Sequence, residues 1–489
     1  MKDASYWAFL PAFELARALR EGEISAVELL ECFLDRVRRF NPELNAIVAL
    51  DETGARQRAR EADEASARGE SWGPLHGVPM TVKESFDVKG LPTTWGVPAF
   101  RDMIAESNAS AVDAMLNAGA IVFGKTNVPY MLADWQTFNS IHGTTNNPWD
   151  RTRAPGGSSG GAAAALASGM TALELGSDIG SSIRNPAHFC GVFGHKPSFG
   201  LVPQTGHGVP GAEAPMDMQV CGPLARSAED LALALTALAR PEAGEISAWR
   251  LRLPQPKQNG LQDFRAAAML DSPLCAVDDS VVSRLNSALD TIEKAGGHVD
   301  RSSRPEFAMQ ESHELFLQVL RGAVGAILNH KDYEAIADDA ARLPEQDRSY
   351  RAQAARATVQ TYRQWYRGQV ARRRLRQSWA RFFESFDVLL CPVAAVAAFP
   401  HDQDIPRHAR VIRVNGRDES YNDQLFWAGL ASLSYLPSTV VPAGRTAQGL
   451  PVGLQIIGPY LQDLSTIEYG RLVSSLLGGF AAPTAYADR

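Results

Sequence analysis

The sequence predicts an α/β protein: a single large domain, residues 1–489, in which a twisted mixed β-sheet is covered by helices on both faces. One observation is the alternation of strand-like and helical segments, which is clearest from residue 265 onward. There a short apolar strand at 265–270 precedes an amphipathic helix that two glycines, Gly296 and Gly297, bring to an end. The other observation is that no repeat or low-complexity linker divides the chain. Alternation of this kind is typical of a mixed or largely parallel sheet between helices.

Four stretches are expected within this domain. They are an N-terminal helical region at about 6–70, a core at about 75–240, a helical segment at about 240–380, and closing strands with a final helix at about 386–480. A charged, aromatic-containing run at 362–386 fits a solvated helix face better than a nucleic-acid site, because the chain as a whole is acidic.

Composition and charge exclude several classes of function. A chain of 489 residues with 45% apolar and 21% charged residues can bury a substantial core, and a net charge of −7 argues against nucleic acid or an anionic membrane as partner. The five cysteines are scattered without a paired spacing, as expected for reduced thiols in the cytoplasm. No stretch has 18 consecutive apolar residues and the N-terminus lacks the pattern of a signal peptide. We therefore expect a soluble cytoplasmic enzyme, monomeric or homodimeric.

Two serine clusters set in glycine are the most informative feature. The first, GGSSG at 156–160, runs into the alanine-rich segment AAAALAS, which favours helix, so the loop is expected at a helix N-terminus. The second, DIGSS at 178–182, follows a short apolar strand, and its successive backbone amides are able to point to one spot. Such a nest suits an oxyanion, and a serine within it is placed to attack a carbonyl. Either cluster alone is equally compatible with a structural glycine turn.

Lys83 is the next residue of interest. It ends the apolar strand-like run at 78–82, in a chain that uses arginine far more than lysine. By itself this pattern fits a lysine whose stem lies along the surface with its ammonium in water.

Longer motifs accompany these residues. They are GVPMTVKE at 77–84, DIGSSIR at 178–184, GHKPS at 194–198, FDVLLCP at 386–392 and GLPVGLQ at 449–455. In this combination the chain resembles the amidase signature family of serine hydrolases. The resemblance covers nearly the whole chain and is poorest from about 240 to 380. It implies the amidase signature fold and the hydrolysis of C–N bonds through an acyl-enzyme.

The resemblance also implies three catalytic residues: Ser182 as the nucleophile, Ser158 as the bridging serine and Lys83 as the base. Chemically, a serine needs a neighbour to take its proton, and a neutral lysine does this in Ser-Lys variants of the triad. Lysine has a reference pKa of about 10.4, so burial must lower it by roughly 3 units. In the family the peptide bond that here joins Gly157 to Ser158 is cis.

The oxyanion hole is expected to consist of the backbone amides of Ile179, Gly180, Ser181 and Ser182. Two residues depart from the family pattern. Ser181 stands where the family usually has glycine, which costs little provided that its φ is negative. Tyr130 stands where an acidic residue is common, which predicts a changed pocket wall.

The expected substrate follows from the residues that the sequence offers as pocket walls. These are Tyr130, Met131, Leu132, Trp135, Phe138, Tyr421, Phe426 and Trp427. Because none of them is cationic, a substrate carboxylate would be left unpaired, whereas an aryl or alkyl chain would gain from burial. Uncharged hydrophobic amides or anilides are therefore expected, and aryl carbamates (urethanes) and esters share the same acyl-transfer chemistry.

Other readings are possible for the same residues. The fold is shared by amidotransferase-type subunits that need a partner chain, and GGSSG formally fits the G-x-S-x-G motif of α/β-hydrolases, although no strand precedes it. Neither a metal nor a cofactor is expected, because His188, His195 and His207 lack metal-ligand spacing and no P-loop is present.

Overall fold

The computed structural model describes residues 4–211 and 214–487. Within them, eleven strands form one large mixed sheet flanked by helices, which confirms the predicted fold class. Side by side, the strands are Ile47–Leu50, Ile121–Thr126, Pro79–Lys83, Glu174–Asp178, Val220–Ala225, Phe193–Lys196, Ser438–Arg445, Pro451–Ile457, Val388–Pro392, Arg265–Ala268 and His298–Asp300. Two further pairs of antiparallel strands are Phe138–Asn139 with Gly143–Thr144, and Val411–Val414 with Arg417–Ser420.

Helices connect and cover these strands. The α-helices are Ala4–Phe9, Ala12–Arg20, Ala26–Leu44, Glu52–Ala67, Ser110–Asn117, Gly160–Ala167, Arg184–Cys190, Ala228–Leu238, Asp279–Lys294, Met309–Gly325, His330–Arg342, Tyr350–Thr358, Tyr362–Ser385, Leu425–Ser432, Asp463–Leu477 and Thr484–Ala487. Single 3-10 turns lie at Pro98–Phe100, Tyr130–Leu132, Leu261–Asp263, Arg407–Ala409 and Tyr421–Gln424. In the part of the chain that the structure describes, no helix is both long and apolar enough to span a bilayer.

The sheet brings Lys83 and the second serine cluster together. The strand Pro79–Lys83 pairs in parallel with Glu174–Asp178, so both strands end at the same edge of the sheet. Ligand sites form at the carboxyl ends of neighbouring strands in such sheets. Residues 179–182, which follow Asp178, are therefore placed beside Lys83.

The alanine-rich helix Gly160–Ala167 places the first serine cluster. All eight of its residues are buried, so the helix belongs to the core and cannot shift without disturbing its neighbours. A β-carbon on Gly161 would lie 2.4 Å from the backbone nitrogen of Asn127, so only glycine fits there. Ser158 and Ser159 thus stand at the N-terminus of a helix that is fixed on all sides.

The helix Tyr362–Ser385 carries the basic and aromatic run, and only part of it is a solvated face. Tyr362 is 76% exposed, but Trp379 and Phe382 are buried in the hydrophobic core. Arg372 is also buried and pairs with Asp217 at 3.0 Å. The aromatic residues in this helix therefore include core residues as well as exposed ones.

Candidate active site

Lys83, Ser158 and Ser182 come together at one point of the fold. Lys83 is fully buried at the end of its strand, and its Nζ lies 2.7 Å from Ser158 Oγ and 2.9 Å from Ser177 Oγ. The loops that carry Ser158 and Ser182 are joined because the backbone amide of Ser159 donates to the carbonyl oxygen of Ser182 at 3.1 Å. Ser158 and Ser182 both line the same cavity. The three residues that the sequence singled out are thus brought into one site.

The surroundings of Lys83 favour its neutral form. Burial lowers the pKa of Lys83 to about 7, although the negative charge of Asp178 acts in the opposite direction. The side-chain partners of Nζ are the hydroxyl groups of Ser158 and Ser177, and neither hydroxyl carries a charge. A lysine with this pKa is able to accept a proton near neutral pH.

The loop at 156–160 is held tightly against its neighbours. The peptide bond between Gly157 and Ser158 is cis, as the resemblance implies. A β-carbon on Gly157 would lie 2.2 Å from the carbonyl oxygen of Asp134, and the amide of Gly157 donates to Asn185 Oδ1 at 3.3 Å. These contacts fix the position of Ser158, and the glycine is required because no side chain fits.

A buried ion pair organises the second cluster. Asp178 accepts hydrogen bonds from Arg184 Nε at 3.0 Å and from the backbone amides of Ser181 and Ile183, each at 3.0 Å. Burial by itself would raise the pKa of Asp178, but the charge and hydrogen bonds of Arg184 outweigh it and lower the pKa to about 2. Asp178 is therefore ionised, and it shapes the turn that contains Ser182. Sequence reasoning gave this pair no role, although both residues belong to the motif DIGSSIR at 178–184.

The expected oxyanion hole needs one correction. The amide of Ser181 is bonded to Asp178 Oδ1, so it does not take part. The amides of Ile179, Gly180 and Ser182 have no hydrogen-bond acceptor in residues 4–211 and 214–487. Trp135 Nε1 donates to the carbonyl oxygen of Gly180 at 3.0 Å, which orients this turn. Three of the four predicted amides are therefore without an acceptor among the described residues, and their role as an oxyanion hole stays a prediction.

Ser181 itself adopts a conformation that the sequence did not predict. Its φ is +81°, in the left-handed region that favours glycine, whereas a negative φ was the condition for tolerating serine there. Its Oγ is buried without a hydrogen-bond partner among the described residues. The position is therefore built for glycine, and serine is held there by its surroundings at a cost in stability.

Ser158 and Ser182 line a cavity together with several apolar side chains. Met131, Leu132 and Trp135 line it, as the sequence predicts. Other parts of its apolar wall come from regions that the sequence did not assign to the pocket. They include Leu320, Val324, Ile327 and Leu425. The first three lie on or just after the helix Met309–Gly325, which belongs to the segment of poorest family resemblance.

Five of the predicted pocket residues do not line this cavity. Tyr130 is 49% exposed, and Phe138 lies in a short strand. Tyr421 is buried and donates from its hydroxyl to Asp134 Oδ1 at 2.6 Å. Phe426 and Trp427 are buried in the core on the helix Leu425–Ser432, whereas Leu425, their immediate neighbour, faces the cavity. The sequence identified the correct segment but not the side chain in it that faces the cavity.

Two cationic side chains also line the cavity. This contradicts the premise of the substrate prediction, which was that no residue of the pocket wall is cationic. Arg321, from the helix Met309–Gly325, and Arg407, from the turn Arg407–Ala409, both line it. The pocket wall is therefore largely apolar but not free of positive charge. The argument for an uncharged substrate, which required a wall without cationic residues, therefore does not hold.

No group of three or more His, Cys, Asp and Glu side chains is arranged to hold a metal ion in the chain between residues 4 and 487, residues 212 and 213 excepted. The histidines that the sequence singled out have other partners: His195 lies 3.1 Å from Asp463 Oδ1, and His207 lies 3.0 Å from Ser85 Oγ.

Comparison with known proteins agrees with this geometry. The family model described as Amidase matches residues 28–467. An indoleacetamide hydrolase of Bradyrhizobium diazoefficiens is 34% identical over 93% of this chain and 84% of its own length. A glutamyl-tRNA(Gln) amidotransferase component from Thermosynechococcus vestitus is 32% identical over 92% of this chain and 94% of its own. Among solved structures, a bacterial aryl acylamidase of the amidase signature family superposes with a TM-score of 0.83 at 25% identity, covering 98% of this chain and 99% of its own.

Proposed function

The chain belongs to the amidase signature family of C–N hydrolases, and from this premise we propose that it cleaves amides with an apolar body through an acyl-enzyme on Ser182. The observation that carries the proposal is the buried contact between Lys83 Nζ and Ser158 Oγ, beside a lysine pKa of about 7. A charged lysine would be of no use as a base. A neutral one, 2.7 Å from a serine hydroxyl at the same cavity as Ser182, is suited to proton transfer.

In the first half of the reaction, Ser182 Oγ attacks the amide carbonyl carbon. Its proton passes to Ser158 Oγ as Ser158 gives its own proton to Lys83 Nζ. The negative charge that develops on the carbonyl oxygen is stabilised by the free amides of Ile179, Gly180 and Ser182. The C–N bond then breaks, and the proton held by Lys83 returns through Ser158 to the leaving nitrogen, which departs as a neutral amine.

In the second half, water attacks the ester on Ser182 and the same groups act again. The water proton passes through Ser158 to Lys83 and then back to Ser182 Oγ, which leaves as a neutral hydroxyl. The products are a carboxylic acid, an amine and the regenerated enzyme. No redox step is involved, and the residues already named supply every proton transfer.

The substrate class follows from the apolar residues that line the same cavity as the serines. Trp135, Leu425 and Leu320 are apolar, so burying an aryl or alkyl group against them contributes roughly 25 cal/mol per Å² removed from water. We propose amides and anilides with such a group as substrates. Aryl carbamates and esters, which react through the same tetrahedral intermediate, are the second class.

The test is to trap the acyl-enzyme. An aryl carbamate should carbamoylate the protein, and mass spectrometry of the digested protein should place the added mass on Ser182. Ser182→Ala should remain unlabelled and should not hydrolyse anilides, whereas Ser475→Ala, which changes an exposed serine, should behave as wild type. Labelling of another residue, or wild-type turnover by Ser182→Ala, would refute the proposal.

A second candidate function is that of an amidotransferase component, which the 32% identity to the Thermosynechococcus vestitus protein favours. The distinguishing measurement is turnover of simple anilides by the purified chain alone. Activity without any partner supports the amidase, and activity that appears only when a partner chain is added supports the alternative.

A further inference from the structure

Two arginines at the active-site cavity have no carboxylate partner. Neither Arg321 nor Arg407 forms an ion pair with any Asp or Glu that the structure describes, and the Nε of each is buried without a hydrogen-bond acceptor. Within residues 4–211 and 214–487, Arg407 donates only to the carbonyl oxygen of Ala133, and its guanidinium lies 5.0 Å from the ring centre of Trp135. Both side chains are partly exposed as a whole, but a buried Nε–H without an acceptor is unfavourable, and a bound anion would supply that acceptor.

The other charges around the cavity are already balanced. Asp178 is paired with Arg184 at 2.9 Å, and Asp134 accepts from Arg410 at 2.5 Å. Lys83, whose pKa is lowered to about 7, is mostly neutral above that pH. The two unpaired arginines therefore leave the cavity with an excess of positive charge.

The two arginines also affect one another. Burial lowers the pKa of Arg321 to about 9, and the positive charge of Arg407 acts in the same direction. No carboxylate acts against this effect. Two like charges held near each other are unfavourable unless an anion lies between them or beside them.

Arg321 and Arg407 lie where the active-site cavity borders a second cavity. Both arginines line this second cavity, whereas Ser158 and Ser182 do not. Tyr350 borders this second cavity; its ring centre lies 5.2 Å from the Arg321 guanidinium, and its buried hydroxyl also lacks a partner among the described residues. The acids on this side are engaged elsewhere, since Asp339 pairs with Arg351 at 2.5 Å.

We propose that Arg321 and Arg407 form a carboxylate-binding subsite, which selects amides whose apolar chain ends in a carboxylate. This inference rests on the proposed amide hydrolysis and adds the substrate class. Arginine suits the role because its planar guanidinium matches the two oxygens of a carboxylate. The apolar wall of Leu320, Val324 and Ile327 would contact the chain between the amide and that carboxylate.

The first experiment compares matched substrates. One pair is hexanoyl para-nitroanilide and adipoyl mono-para-nitroanilide, which differ by a terminal carboxylate on the acyl side. The other pair is N-acetyl hexylamine and N-acetyl aminohexanoate, which places the carboxylate on the amine side. In at least one pair, the kcat/KM of the wild-type protein should be higher for the carboxylated member by a factor of about ten or more. A factor of this size corresponds to one charge-assisted hydrogen bond.

Arg321→Gln and Arg407→Gln should each lower that ratio by about tenfold, because glutamine keeps hydrogen-bond donors but loses the charge. Arg342→Gln is the matched control. Arg342 lines only the second cavity and is well exposed in its pair with Asp338, so the ratio should stay at the wild-type value. Equal or faster hydrolysis of the neutral member in both pairs, or a ratio unchanged in both glutamine variants, would overturn the subsite.

A binding measurement separates this proposal from the proposed catalysis. Ser182→Ala is titrated calorimetrically with adipamic acid against hexanamide, and with N-acetyl aminohexanoate against N-acetyl hexylamine, which requires no turnover. In at least one of these pairs the carboxylated member should bind about tenfold more tightly, and the added Arg321→Gln substitution should remove the difference. If catalysis fails but this difference persists, the subsite stands and the triad is wrong. If the difference is absent in both pairs while anilides are hydrolysed through Ser182, the subsite is wrong and the triad stands.

Discussion

Two regions face each other across the active-site cavity and treat their charges in opposite ways. We call Lys83 with residues 156–161 and 177–184 the catalytic floor, and the helix Met309–Gly325 the helical cover. On the floor, Asp178 and Arg184 neutralise one another and Lys83 is bonded to hydroxyls. On the cover, Arg321 has no anionic partner among the residues that the structure describes.

This difference separates two tasks. The floor must present the same electrostatic field to every substrate, so its charges are satisfied within the protein and do not rearrange during the reaction. The cover must discriminate among substrates, and an incomplete interaction does this because only the matching ligand completes it. Substitutions in the floor should therefore affect the rate of chemistry and the stability of the fold, whereas those in the cover should affect the choice of substrate.

The largest expected effect is at the floor. Lys83→Met keeps most of the volume of the side chain but removes the base, so kcat should fall by about four orders of magnitude or more for all amides alike. Lys89→Met, at an exposed lysine near it in sequence, should leave kcat unchanged. Steady-state kinetics on one neutral and one carboxylated amide measure this. A loss confined to one of the two substrates would contradict the assignment of Lys83 to the floor.

Arg184→Met should destabilise the fold by about 3–5 kcal/mol, because it leaves Asp178 buried and uncompensated. Chemical denaturation followed by circular dichroism gives the free energy of unfolding. Arg471→Met is the control, since its pair with Glu468 is partly exposed and should contribute about 1 kcal/mol or less. Equal losses of unfolding free energy in the two variants would show that the buried Asp178–Arg184 pair contributes no more to stability than a partly exposed pair.

The pH dependence of kcat/KM tests the electrostatics of Lys83. Only the neutral lysine acts as the base, and the neutral form predominates above the pKa of about 7. For a neutral substrate, the rate should rise about tenfold per pH unit well below pH 7 and level off above it. Thermal melts over the same range separate unfolding from titration. A rate that declines from pH 6 to pH 8 would be incompatible with a lysine base.

A substitution in the cover should have a smaller and more selective effect. Val324→Ala removes part of the apolar wall, and the lost burial, roughly 0.8 kcal/mol per CH₂, should raise KM for a long-chain amide by about three- to tenfold. The kcat should change little, because no catalytic group moves. An acetanilide, whose acyl chain is too short to reach this wall, is the control substrate. A large fall in kcat would mean that the cover positions the reacting groups as well.

The smallest expected effect is a gain at the floor. Ser181→Gly should stabilise the protein by about 1 kcal/mol, because glycine relieves the positive φ and removes a buried hydroxyl without a partner among the described residues. Differential scanning calorimetry measures the shift in melting temperature. Ser168→Gly, at a position where φ is −90°, should destabilise instead. Destabilisation by both changes would rule out strain at Ser181.

The sequence by itself determined the fold class and the family, and it singled out Lys83, Ser158 and Ser182, which the fold brings together at the floor. These features depend on local chemistry: the run of glycines at 156–161 is needed where the backbone of Asp134 and Asn127 approaches, and Lys83 ends a strand whose parallel partner leads into Ser182. A short motif encodes such a turn, because the residues that make it are neighbours in the chain.

Only the tertiary structure decided the rest. It showed that the amide of Ser181 is bonded to Asp178, that Leu425 rather than Phe426 or Trp427 faces the cavity, and that Arg321 and Arg407 line the pocket. Helical periodicity indicates that one face is buried but not what it is buried against. The charge balance of a cavity depends on which distant segments meet there, and that is set by the packing of the whole chain.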